Sequence, residues 1–136
     1  MRLDIACEQM LPNAIEEVWS QLTDAGAISN WLLATDEFRP EVGCRFRMER
    51  MSNAGWVDAE VLELQAPRRM VWSWSVGDAN PPSKVTFMLG REGEGTRLRL
   101  RHVGEFDAAT AAIFRDEWPG RIKALAEVIG RNKGNG

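Results

Sequence analysis

Apolar side chains recur along this chain in two rhythms, period two and period three to four, and these divide it into elements. Leu3, Ile5, Cys7, Gln9 and Leu11 alternate with Arg2, Asp4, Ala6, Glu8 and Met10, the pattern of a half-buried strand that Pro12 ends. Asn13, with Glu16 three residues on, forms a capping-box-like start to a helix striped by Ile15, Val18, Trp19 and Leu22. Thr23 or Asp24 then caps a second short helix through Ile28 to about Trp31. From there the alternation predicts strand after strand. Thr35 to Phe38 reads as a short one, closed by Pro40 and Gly43. Cys44, Phe46 and Met48 point inward in the next. Between Trp56 and Leu64 the apolar parity changes, from Val57, Ala59 and Val61 to Leu62 and Leu64, which predicts a bulge. Met70, Trp72, Trp74 and Val76 alternate with Val71, Ser73 and Ser75 in the clearest strand of all. A long hairpin loop, GDANPPS, leads to Val85, Phe87 and Leu89. REGEG is a tight turn, and Leu98, Leu100 and His102 then face away from Arg97, Arg99 and Arg101.

The rhythm changes once more at the end. Trp118, Ile122, Leu125 and Ile129 recur at steps of four, three and four, so a helix is expected from Trp118 to Ile129. Pro119 fits its first turn, where no amide partner is lost, and Gly130 is a natural stop. A short helix polar on one side is marginal alone in water and needs an apolar surface to lie on. The expected order is strand, two short helices, six strands and a long helix. Strands joined by short turns pair antiparallel with their neighbours, and one apolar face implies a sheet covered on one side. The fold class is α+β. Residues 1–130 are expected to form one domain, with 131–136, RNKGNG, as a disordered tail.

Composition narrows what such a domain does. A formal charge of -3 gives no general attraction to nucleic acid. The outward Arg97, Arg99 and Arg101 are expected to pair with Asp4 and Glu8 of a neighbouring first strand. No apolar run approaches the length of a membrane span, and the first residues carry charge throughout, so the expected location is cytoplasmic. Cys7 and Cys44 have no metal or redox spacing, and one histidine leaves a metal site without an adequate ligand set. The signatures of serine hydrolases, zincins, P-loops and dinucleotide folds are all missing, so no catalytic residue, metal or cofactor is assigned. Six tryptophans beside no tyrosine is the unusual number, and points to a core of large rigid aromatic surfaces.

Four stretches carry a family likeness: ISNWLLATDEFRPEVGCRFRM, VLELQAPRRMVWSW, VTFMLGREGEGTRLRLRHVGE and DEWPGRIKALAEVI. Together they resemble START-like proteins of the SRPBCC superfamily, with the Bet v 1-like helix-grip fold. The branch they are most similar to is the activator of heat-shock-protein ATPase homologue. The likeness spans roughly residues 2–130. It implies a strongly curved antiparallel sheet, of about six to seven strands, wrapped around a long C-terminal helix. Two short helices follow the first strand. It also implies an apolar cavity between sheet and helix, and no shared catalytic motif.

On this reading Met48, Trp72, Trp74, Phe87 and Trp118 face the gap between sheet and helix and supply apolar contact to a ligand. His102, the sole histidine, turns inward and serves as a polar anchor or an acid or base, or is satisfied by a neighbouring group. Arg50, or Gln9, is a second polar anchor at a strand end. The loop around Asn80 to Ser83 and the second short helix frame the mouth. The expected function is binding of a small hydrophobic or aromatic molecule by a monomer or homodimer. An aromatase/cyclase-type enzyme using the same cavity and a chaperone-activating interaction module are the alternatives. In the binding model Trp72→Ala costs ligand affinity more than folding.

Overall fold

Period-two alternation builds strands because successive side chains leave opposite faces of the backbone, so one face can be buried whole. The computed structural model describes residues 2–49, 55–76 and 82–134. In it β1 is Arg2–Leu11, α1 Ile15–Leu22, α2 Ala25–Trp31, β2 Arg45–Glu49 and β3 Trp56–Gln65. β4 is Arg69–Val76, β5 Ser83–Glu92, β6 Gly95–Glu105 and α3 Ala108–Gly134. All pairings are antiparallel, and the strands form one curved sheet in the order β1-β6-β5-β4-β3-β2. The inward sets are those the alternation specified: Leu3, Ile5, Phe46, Met48, Trp72, Trp74, Val85, Phe87, Leu98 and Leu100 are buried. The parity change in β3 is a register shift between Val61 and Glu63, the expected bulge. At the β5–β6 turn Gly93 takes φ 57, a left-handed conformation glycine adopts without steric cost.

Two local expectations change. Thr35 to Phe38 is not a strand. Only Ala34 bridges to Glu49, and the Glu37 carboxylate accepts the Arg47 amide at 3.0 Å. A side chain there takes the place of a ladder carbonyl on the β2 edge, so the sheet has six strands. Phe38 still turns inward, its ring 5.0 Å from Phe46. Asn13 does not cap α1; Ala14 sits at that position without a side-chain cap. Asn13 is buried instead, its side-chain amide donating to Glu17 at 3.0 Å while its backbone carbonyl accepts from the Thr96 hydroxyl. α2 does start on Asp24, whose carboxylate accepts the Ala27 amide at 2.9 Å.

The largest change is α3, which begins at Ala108 rather than Trp118. Ala111 and Phe114 are buried and carry the stripe of Trp118, Ile122, Leu125 and Ile129 back towards the N-terminus. Pro119 therefore lies inside the helix, where it offers no amide to the Arg115 carbonyl. The helical backbone continues to Gly134, into the stretch expected as a tail, and residues 135 and 136 lie outside the described residues. The helix starts on Asp107, whose carboxylate accepts the Thr110 amide at 2.7 Å. That bond, with others to Thr110 and Ala109, holds the Asp107 carboxyl below its usual range. Asp107→Ala is expected to lower the urea denaturation midpoint, and Asp107→Asn to lower it by only a fraction of that. Equal losses for the two would mean the cap contributes nothing.

The outer face of the sheet is a lattice of ion pairs. Arg101 grips Asp4 with two bonds of 2.9 and 2.7 Å, and Arg97 and Arg99 share Glu8 at 3.3 and 3.4 Å. Arg47 pairs with Asp58 at 2.7 Å and Arg45 with Glu60 at 3.1 Å. The arginine row is thus neutralised across strands, as the alternation of β1 and β6 implied.

Candidate functional site

Against the inner face of the sheet the aromatic side chains gather into two groups. Trp72 centres the first, its ring 4.7 Å from Phe87, 5.0 Å from Phe46 and 5.7 Å from Phe38. Trp31 of α2 closes on Phe87 at 6.2 Å and donates its indole N–H to the Gln21 carbonyl. Met48, Trp72 and Phe87 are each 0% exposed within this continuous core.

The second group surrounds His102. Phe114, Trp74, Phe106 and Trp118 lie 4.9, 5.5, 5.7 and 5.8 Å from its ring. The parity of β6 turns His102 inward, and both of its ring nitrogens are engaged. Trp118 Nε1 is a donor only, and it lies 2.9 Å from His102 Nδ1, so Nδ1 is the acceptor. The ring proton of the neutral imidazole is then on Nε2, which donates to Ser83 Oγ at 2.7 Å. Ser83 in turn donates to the Trp74 carbonyl at 3.0 Å. The relay ties α3, β6, β5 and β4 together. Burial among uncharged neighbours pushes the His102 pKa down to about 4. Gly104 makes room for it: a Cβ there would meet the Ser83 Cβ at 2.4 Å.

Beside this relay is a small, mainly apolar cavity lined by Leu32, Leu33, Trp74, Phe114 and Trp118, with Glu117 and Arg121 completing its wall. Its volume is about 20 Å³, room for a single water. Trp74 and Trp118 meet at 5.5 Å on its inner side. Leu32 and Leu33 follow directly on α2. Among the described residues the indole N–H groups of Trp72 and Trp74 meet no acceptor. Larger hollows of about 520 and 340 Å³ lie on the outer face, open to water and lined by the paired arginines and carboxylates.

The residues expected at the site therefore fall in two places. Trp74, His102 and Trp118 come together at the cavity and the relay behind it, whereas Met48, Trp72 and Phe87 lie in the packed core. Arg50, Asn80 and Pro81 lie outside the described residues. Gln9 is half-buried and donates to the Met10 carbonyl. Phe114, Leu32 and Leu33 are not among the expected site residues, and Ser83, expected as the end of the mouth loop, is buried against His102. Phe114 had a legible signal, standing four residues before Trp118 on the same helical stripe. Cys7 is half-buried, with its thiol pKa raised by burial, and Cys44 is buried; both are free thiols. Among the described residues no group of three or more histidine, cysteine or carboxylate side chains is placed to hold a metal. No helix among them is long and apolar enough to cross a membrane.

The model of the family described as "Activator of Hsp90 ATPase homolog 1-like protein" matches residues 13–130. No curated protein matches the sequence. Among solved structures, protein MLL2253 from Mesorhizobium loti superposes with a TM-score of 0.87 at 27% identity, over 94% of this chain and 97% of that one. CalU16 from Micromonospora echinospora gives 0.77 at 26% identity, covering 97% of this chain and 79% of the other. The Aha1 dimer from Colwellia psychrerythraea gives 0.79 at 16% identity, over 93% and 96% of the two chains, a likeness of fold.

Proposed function

Because this chain belongs to the Activator of Hsp90 ATPase homolog 1-like family, on the START-like branch, we propose that it binds a small hydrophobic or aromatic molecule between its sheet and α3. The observation that carries this reading is the cavity between the end of α2, β4 and the first half of α3. It is lined by two indoles and a phenyl ring, by Leu32 and Leu33, and by Glu117 and Arg121. An apolar hollow with a few polar groups is the usual form of a small-molecule site. At about 20 Å³ it needs its walls to part before a ligand enters. The wall is suited to that: α3 lacks one ladder bond where Pro119 follows Trp118, and helices bend most readily at such a break. Trp74, Phe114 and Trp118 then contact the ligand, and Met48, Trp72 and Phe87 belong to the packed core.

Two alternatives have less support. A cyclase-type reaction needs His102 as acid or base, and both of its ring nitrogens are already bonded to Trp118 and Ser83. A chaperone-docking module calls for an apolar outer patch. The exposed large apolar side chains among the described residues, Met10, Val42, Trp56, Met88 and Ile113, stand on five different segments.

Native mass spectrometry of the purified protein, repeated after denaturation, tests the binding reading. An adduct that disappears on unfolding is expected. A clean mass, together with no thermal shift across lipids and aromatic compounds, would count against it.

A further inference from the structure

The polar groups around the cavity specify more about the ligand than its apolarity. Trp118 spends its indole N–H on His102 Nδ1, and His102 Nε2 and Ser83 Oγ complete a relay that ends on the Trp74 carbonyl. Trp31 donates to Gln21. The indole N–H groups of Trp72 and Trp74 meet no acceptor among the described residues, but Trp72 is sealed in the packed core, whereas Trp74, 4% exposed, lines the cavity. An unpaired buried donor is destabilising, and a ligand that supplies an acceptor recovers part of that cost.

We propose that the bound molecule is a neutral, carbonyl-bearing ring compound whose carbonyl oxygen accepts a hydrogen bond from Trp74 Nε1. This rests on the reading of the cavity as a binding site. Trp74 brings an unpaired donor to the lining, while the rings and leucines beside it offer no acceptor, so a ligand group that can only donate finds its side-chain partner at Glu117 instead. A carboxylate is disfavoured, because the cation of the lining, Arg121, shares it with the Glu117 carboxylate, and Trp74, Phe114, Leu32 and Leu33 provide no charge to offset its desolvation. Charged or hydroxyl groups belong at the other end of the molecule, beside Glu117 and Arg121.

Matched pairs of one to three fused rings, such as tetralone against tetralin, test this by titration followed through the Trp74 indole proton in nitrogen-15 spectra. The ketone is expected to bind about tenfold more tightly than its hydrocarbon, with a downfield shift of that proton for the ketone alone. In Trp74→Phe the ratio of ketone to hydrocarbon affinity should fall from about ten to about one, whatever happens to the affinity the two share. If Trp74→Phe fails to fold, the indole proton of the unaltered protein decides by itself. Equal affinity within each pair and an unmoved indole proton would overturn the carbonyl proposal and leave apolar binding standing. No binding by any member of the set would overturn both.

Discussion

Trp72→Ala is expected to lower the unfolding free energy by about 3–5 kcal/mol, the range for truncating a fully buried aromatic side chain. The ring is 0% exposed and stands in edge or tilted contact with Phe38, Phe46 and Phe87, three side chains from three different segments. Removing it leaves a void whose walls are other rigid rings, which collapse poorly, so the cost belongs near the upper end. This reverses the expectation that such a change would fall mainly on ligand affinity. Trp74→Ala is the informative partner: Trp74 borders the cavity, so part of its surroundings is already unfilled. Urea denaturation of both variants checks the point. A loss below about 1 kcal/mol for Trp72→Ala would show a core able to close around the gap, and so a more adaptable interior than the ring contacts imply.

How much of this was legible in the sequence depended on whether a residue's role was set by its own segment. β4 was legible because Met70, Trp72 and Trp74 alternate without interruption, and the β3 bulge because parity visibly changed after Val61. The start of α3 was obscured by its composition. Between Asp107 and Trp118 only Phe114 and the small Ala111 mark the buried face, so the stripe became obvious only where large residues began. The proline and glycine after Trp118 then resembled a helix start, although Asp107 was already an available cap. At the site, the inward turn of His102 followed from period two, but its partners did not. Ser83 and Trp118 lie 19 and 16 residues away in the chain, and only the folding of β5 and α3 onto β6 brings them to its two nitrogens. The same is true of the Phe38 ring, which reaches the core from a segment that is not a strand.

Lowering the pH from about 7.5 to about 5 is expected to cost about 2 kcal/mol of stability through His102 alone. The imidazole titrates at its ordinary value of 6.5 in the unfolded chain and at about 4 in the folded one, because burial disfavours its charged form. Between those values the unfolded state binds the proton and the folded state does not. The stabilisation is therefore complete above about pH 6.5 and declines as pH falls towards 4. Geometry points the same way. A proton on Nδ1 would confront the Trp118 indole N–H donor to donor at 2.9 Å, and the contacting rings of Trp74, Phe106, Phe114 and Trp118 carry no charge to compensate. Asp4 and Asp107 have lowered pKa values, Asp4 chiefly through its bonds to Arg101 and Asp107 through those to Thr110. Their contributions are lost only at more acidic pH, so the window above pH 5 isolates the histidine. His102→Gln is the matching variant, since its amide can accept from Trp118 and donate to Ser83 without titrating. Denaturant midpoints at the two pH values should fall for the unaltered protein and stay level for His102→Gln. An equal fall in both would mean that His102 keeps its ordinary pKa, and that the link between α3 and the sheet survives protonation.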